Sequence, residues 1–285
     1  MTASLPGQGR PRIGLALGAG GTKGSAHAGV LKVLDEAGIP IDLLAGSSIG
    51  AAYAASYAAG TTGREMEEDV MHTNARDVFA FFRSRLKITP DNALGRIVCD
   101  RVDGLTFDQL RLPLTIVASD LFQRRPVLIR SGPVLKAVEA SIAVPLMARP
   151  VRLNGRYVLD GGFWEHAPVR VAAAMGADKI IEVILGDSIA MPQRLRPFAR
   201  RLVRALDGPV RRTGPGLAAS ALFLLYTLTY VPAPSQADVS IRPDIVKISA
   251  NSPFHLTEAM KLGEEATRAV LPQIEALLSQ SPTNK

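Results

Sequence analysis

The stretch that most constrains this chain is Gly46-Ser47-Ser48-Ile49-Gly50. Before it, Ile41-Asp42-Leu43-Leu44-Ala45 reads as a short buried strand; after it, Ile49 to Ala59 is alanine-rich and ends at Gly60, which reads as a helix with a glycine stop. A serine in G-x-S-x-G between a strand and a helix is the nucleophile-elbow pattern. The tight turn strains the backbone at Ser48 and projects its hydroxyl beyond the sheet at a helix N-terminus. Glycine is expected on both sides, because side chains there would collide with the neighbouring strand and helix. So short a pattern also occurs in plain small-residue turns. It therefore requires an α/β arrangement and sends the search elsewhere for a base and an oxyanion site.

The chain before the elbow offers one of these. Ile13-Gly14-Leu15-Ala16-Leu17 reads as a buried first strand and runs into Gly18-Ala19-Gly20-Gly21-Thr22-Lys23-Gly24. A helix follows, with Val30, Leu31, Val33, Leu34 and Ala37 as its apolar stripe and Gly38 as its stop. Strand, glycine loop and helix leave successive backbone N–H groups free to meet an anion. A nucleotide phosphate fits poorly. Lys23 precedes its glycine, against the Walker pattern, and Gly18, Gly20 and Gly24 are spaced G-x-G-x-x-x-G, against the dinucleotide pattern. An oxyanion formed when Ser48 attacks an ester would make one site of loop and elbow.

Taken in order, these residues resemble the patatin-like phospholipase family. The resemblance rests on Gly20-Gly21-Thr22-Lys23-Gly24 with Ala26-His27-x-Gly29-Val30-Leu31, then Gly46-x-Ser48-x-Gly50, then Ala140-Ser141-Ile142-Ala143-Val144-Pro145, and finally Asp160-Gly161-Gly162. It covers roughly residues 13–186. The chain departs from the family pattern at Ala19, where a glycine is usual, and at His166-Ala167-Pro168, where asparagine usually precedes the proline. The resemblance implies a three-layer α/β/α sandwich around a mainly parallel sheet. It also implies a dyad of Ser48 with Asp160 as direct base, acting without histidine on lipid carboxylic esters, as in a phospholipase A or lysophospholipase. Neither a metal nor an organic cofactor is implied. The oxyanion hole is expected from the N–H groups of Gly20, Gly21 and Thr22, and Lys23 is expected to fix the loop or meet a substrate phosphate. A carboxylate of ordinary pKa, ~3.9, is a weak base and would need close contact with Ser48.

Other readings stay open at this stage. Ser48, Asp160 and His255 stand in α/β-hydrolase order, although that fold normally places several strands before the elbow and here one precedes it. A non-catalytic adapter and an acyl transferase could share the same motifs. His27 reads as a packed helix residue and His166 as a loop residue near the site.

The middle of the chain fits an α/β sandwich. Thr62 and Glu65 form a capping box for a helix to about His72, and Phe79-Ala80-Phe81-Phe82 reads as helix core, against the alternative that it forms part of a lipid-facing mouth. Leu114–Ala118 and Pro126–Ile129 read as strands flanking Arg124-Arg125. Val151–Leu153 and Tyr157–Leu159 alternate around Asn154-Gly155, a hairpin that delivers Asp160 at a strand end. Lys179–Leu185 reads as a central strand, Ile245–Ile248 as a last strand and Leu256–Leu278 as an amphipathic helix.

The formal charge of +7 suggests nucleic acid until it is mapped. Residues 190–216 hold seven arginines and one aspartate, +6 of that +7, so the remainder is nearly neutral and no nucleic-acid partner is expected. Within that segment Leu195, Phe198, Leu202 and Leu206 recur at helical spacing between arginines. Leu217–Val231 then runs fifteen residues without charge, short of the roughly 20 a membrane span requires. Residues 190–231 are therefore expected to contact an anionic membrane peripherally, against the alternative that the uncharged run fills the core. Residues 1–12 read as a flexible polar tail without a signal peptide. Residues 13–279 read as one hydrolase domain with a basic and apolar helical insertion at about 189–236. Cys99, the single cysteine, can form no internal disulfide, which suits the reducing cytoplasm.

Overall fold

A computed structural model describes residues 10–89, 92–164, 167–186, 191–229, 234–250 and 252–280. Its sheet is built outward from β1 (Ile13–Leu17), whose five residues are all buried. β1 lies parallel between β2 (Leu43–Ser47) and β7 (Lys179–Val183); β3 (Leu114–Asp120) runs parallel to β2, and β8 (Val239–Ile241) to β7. These strands are apolar on both faces, as a parallel sheet covered by helices requires. Ile13, Leu15, Leu17, Leu44, Ile116 and Ile181 point to one face, and Ala16, Leu43, Ala45, Val117 and Ile180 to the other.

The first face carries the larger core. α1 (Ala26–Glu36), α2 (Ile49–Ala59) and the C-terminal α10 (Leu256–Leu278) pack there, joined by α3 (Gly63–His72), α4 (Ala75–Arg83), α5 (Ala93–Val102) and α6 (Val134–Ser141). The second face is covered by α7 (Val169–Ala174). A smaller cluster joins α9 (Leu217–Thr227) to Leu121, Leu159 and Trp164, and α8 (Arg196–Arg212) lies against α9. The arrangement is a three-layer α/β/α fold.

One topological detail brings the site together. β4 (Pro126–Ile129) and β6 (Arg156–Asp160) both run antiparallel to β3, and β5 (Val151–Leu153) forms the hairpin with β6. Ile116 of β3 pairs with Gly46 of β2 on one side and Ile129 of β4 on the other. Two residues on, Ala118 pairs with Val127 of β4 and Asp160 of β6. β6 thus takes over the edge of β3 that β2 vacates when the chain turns away at Ser48. The end of β6 meets the end of β2.

Many boundaries agree with the sequence reading. α2 and α10 occupy the expected residues, the Thr62/Glu65 capping box forms, and Asn154 and Gly155 take the positive φ values, 47° and 76°, of a tight hairpin turn. Ile245–Ile248 is not a strand. Ile245 N donates to Pro243 O and Ile248 N to Ile245 O, so the segment turns, and the last strand is β8 instead. Ile245 and Ile248 are apolar because they are buried, not because they join the ladder. β2 begins two residues later than expected, because the Asp42 carboxylate accepts from Ile13 N at 2.7 Å and binds Arg10 at 2.7 Å.

Candidate active site

Ser48 follows β2 with φ 52° and ψ −127°, a conformation that costs a residue with a side chain on the order of 1–3 kcal/mol. Its surroundings hold it there. Cβ atoms at Gly46 and Gly50 would fall 2.7 Å from Ala51 Cα and 2.2 Å from Leu17 O, so the flanking glycines are sterically required. Ser48 N donates to Ser141 Oγ at 2.9 Å, and Ser141 Oγ donates to Val117 O at 2.6 Å. α6 and β3 therefore hold the backbone of the elbow.

The Ser48 hydroxyl donates to Asp160 Oδ2 at 2.5 Å, and Gly162 N donates to Asp160 Oδ1 at 2.7 Å. Ser119 Oγ donates to Asp160 O, and Asp160 N to Ala143 O. The Ala-Ser-x-Ala-x-Pro stretch thus touches both residues: Ser141 holds the elbow and Ala143 the aspartate. Sequence alone assigns Ser141 no role; its place in the ordered motif is the signal that marks it. Burial pushes the Asp160 carboxyl up to about 7, outweighing the bonds from Ser48 and Gly162, which favour the charged form. The expectation of an ordinary, weak carboxylate base is corrected: this one titrates near neutrality.

No imidazole stands between Ser48 and Asp160, whose oxygens touch directly. His255 is exposed and bonds Glu258 Oε2 at 2.7 Å. His27 is fully buried, tilted against the Tyr53 ring, and its Nε2 meets Gly18 O at 2.9 Å. Desolvation lowers its pKa to about 4, so the neutral ring donates and anchors the glycine loop from below. His166 lies outside the described residues.

The glycine loop departs from expectation at Thr22. Thr22 N and Oγ1 both donate to Ala250 O, at 2.8 and 2.9 Å, so this N–H is already committed. Among the described residues the N–H groups of Gly20 and Gly21 donate to no other group. Lys23 is half-buried, makes no ion pair among the described residues and does not line the cavity at Ser48. Among the described residues no three His, Cys, Asp or Glu side chains converge as metal ligands would.

Ser48 opens into an apolar cavity. Tyr53 and Ile97 line it from α2 and α5, and Phe81 and Phe82 from α4. Of the two readings of Phe79–Phe82, core or mouth, the position of Phe81 and Phe82 favours the mouth, although Phe81 also packs against the core. Phe81 and Phe82 face the cavity, while Phe79 is 49% exposed and meets the 73%-exposed Phe254 edge to face. A helix can present such a run to a void as readily as to a core, and the apolar pattern alone does not distinguish them.

An α/β sandwich with an elbow serine bonded directly to a buried aspartate defines the class of fold to which this chain belongs. The chain belongs to the patatin-like phospholipase family, whose description matches residues 15–173. An uncharacterized NTE family protein of Mycobacterium tuberculosis is 35% identical over 191 residues, 66% of this chain and 53% of that protein. A lysophospholipase nte1 of Aspergillus fumigatus is 30% identical over 185 residues, 61% of this chain and 12% of that one. The chain thus spans about half the length of the first of these relatives, and far less of the second. The crystal structure of VipD from Legionella pneumophila shares the fold, with a TM-score of 0.53 at 15% identity over 93% of this chain and 67% of VipD. Among the described residues no helix is long and apolar enough to cross a membrane.

Proposed function

We propose that this chain hydrolyses carboxylic esters of lipids, in the manner of a phospholipase A or lysophospholipase, through an acyl-Ser48 intermediate. The observation that carries the reading is the 2.5 Å hydrogen bond from Ser48 Oγ to an aspartate whose pKa lies near 7. Asp160 Oδ2 takes the hydroxyl proton as Ser48 Oγ attacks the ester carbonyl. The N–H groups of Gly20 and Gly21 receive the negative oxygen. Asp160 returns the proton to the departing alcohol, and the acyl group stays on Ser48 with its chain in the apolar cavity. Water, deprotonated by Asp160, then attacks the acyl-serine; the fatty acid is released as Asp160 passes that proton to the departing Ser48 Oγ. A base near its own pKa at neutral pH suits both proton transfers. The family, and the lysophospholipase name of the Aspergillus relative, support an ester lipid as substrate.

The test is labelling by a fluorophosphonate, which reacts with activated serines. The wild type is expected to label at Ser48 and Ser48→Ala not at all. Asp160→Asn should lower kcat by about a thousandfold or more, by analogy with losses from dismantled triads. His255→Ala should stay within about tenfold of wild type. An unlabelled wild type would favour the adapter reading, and loss of activity in His255→Ala would restore the triad. Product analysis with water and added alcohols separates hydrolase from transferase.

We also propose a peripheral contact of α8 with anionic membranes. The helix turns Ala199 and Val203 inward and leaves Phe198 69%, Leu202 39% and Leu206 41% exposed beside its arginines. Exposed apolar residues beside arginines match the needs of an interfacial helix.

A further inference from the structure

Beside the Ser48 cavity lies a second cleft of opposite character. Arg83, Arg85, Lys87 and Arg149 line it, with Glu139 as its one acidic residue. None of the four cations makes a hydrogen bond or ion pair through its side chain among the described residues. Four like charges around one concavity repel one another and raise the local concentration of anions. Lys32, by contrast, lies between Glu67 and Glu264, and Arg101 between Glu65 and Asp69.

The two cavities share a wall. Leu86 lines both. In the segment after α6, Ile142 and Val144 line the apolar cavity while Ala143, between them, lines the basic cleft. Ala143 O is also the acceptor for Asp160 N, so the cleft reaches the backbone that holds the base. The chain after α4 is bent to make this arrangement. Arg85 and Leu86 take consecutive left-handed conformations, φ 59° and 63°, which residues with side chains adopt at a cost. Ser84 Oγ donates to Phe81 O and Lys87 O and holds the bend. The result buries Leu86 and leaves Arg85 and Lys87 exposed at the cleft.

We infer that this cleft binds the phosphate of the lipid whose acyl chain occupies the Ser48 cavity, so that the preferred substrate is a phosphate-bearing ester rather than a neutral glyceride. The inference rests on the lipid-ester reading above and assigns the head-group phosphate to a particular set of residues, which that reading does not do. Guanidinium forks match phosphate oxygens in pairs, and charge-assisted bonds of this kind are stronger than neutral ones. A neutral head group would leave the four cations with only the Glu139 carboxyl to balance them.

Binding of ether lipids, which cannot be hydrolysed, tests this without any turnover. The affinity of a 1-O-alkyl-glycerol 3-phosphate is compared with that of the same 1-O-alkyl-glycerol, both below their critical micelle concentrations. The phosphate lipid is expected to bind at least about tenfold tighter, as charge-assisted pairing implies. Arg85→Gln/Arg149→Gln should abolish that advantage, and Arg201→Gln/Arg204→Gln on α8 should keep it. Three outcomes overturn the proposal: no advantage in the wild type, an advantage that survives the cleft variant, or an equal loss in the α8 variant, which would trace it to overall charge. Inorganic phosphate is the remaining arm. If it binds as tightly as the phosphate lipid, the cleft is a free-anion site unconnected to the acyl cavity, and the proposal fails. Fluorophosphonate labelling of the same wild-type sample reports separately on the hydrolase reading.

Discussion

Ser48 and Asp160 are each held by partners distant in sequence, and the chemistry follows from what those partners exclude. Asp160 is 3% exposed, and the removal of water, not a neighbouring charge, moves its pKa from 3.8 to about 7. Two consequences follow from one shift. The proposed base is active only when ionised, so kcat/KM for a short soluble ester should rise through about pH 7 and level off above it. A flat profile between pH 5 and 8 would remove Asp160 from the role. Stability should move the other way. The native state keeps a proton that the unfolded chain has released, so the stability it contributes is complete below the unfolded value and lost as pH rises through about 7. At pH 8 the buried charge costs up to the order of 4 kcal/mol. Asp160→Asn, inactive, should therefore melt above the wild type at pH 8, with the difference shrinking toward pH 5. A variant that melts lower at pH 8 would contradict the shift.

At the scale of elements, the C-terminal part of the chain holds the N-terminal loop. Thr22 is bound to Ala250, and Ser25 Oγ donates to Leu256 O at 2.8 Å, at the start of α10. α10 reaches the loop because it crosses α1 at very short range. A Cβ at Gly263 would lie 2.2 Å from Ala26 O, and one at Gly29 would lie 2.0 Å from Met260 O. Gly263→Val should push the two helices apart, destabilise the protein by about 1–3 kcal/mol and lower kcat by shifting the glycine loop. Thermal unfolding and kinetics on one preparation check this; a full loss of stability with unchanged kcat would uncouple α10 from the site. α9 supports the other side. Its Phe223 packs edge to face on Phe163, and Tyr226 lies against Trp164, both in the loop that follows Asp160. The uncharged run is thus partly core, and what it packs is the loop after the aspartate.

At the scale of the whole molecule, most of the net charge sits on α8. That helix is tied to the body by Asp207, which pairs with Arg124, by Arg211, which donates to Phe122 O, and by Arg200, which donates to Thr229 O at 3.2 Å. Arg200 therefore has a structural task, whereas Arg201 and Arg204 are exposed with no ion pair among the described residues. Arg201→Gln/Arg204→Gln should weaken sedimentation with anionic vesicles by about 30-fold at most, since each arginine near such a surface contributes about 1 kcal/mol. Added salt should shrink the difference, and zwitterionic vesicles should not show it. If the variant sediments like the wild type, α8 is not the contact.

The local features were legible in the sequence because their causes are local. The glycines around Ser48, the Asn154-Gly155 turn, the Thr62/Glu65 box and the periodicity of α2 and α10 are set by neighbours a few residues apart. The order of the motifs gave the family, and with it the Ser48–Asp160 pair. What only the tertiary structure decided depends on groups far apart in the chain. The commitment of the Thr22 N–H to Ala250 spans 228 residues, and the Ser141 bond to Ser48 spans 93. Whether Phe81 and Phe82 meet a core or a void, and whether Ile245 pairs or turns, depends on what lies opposite, which an apolar pattern does not specify. The near-neutral pKa of Asp160 belongs to the same group, because desolvation is a property of the assembled surroundings and not of the residue.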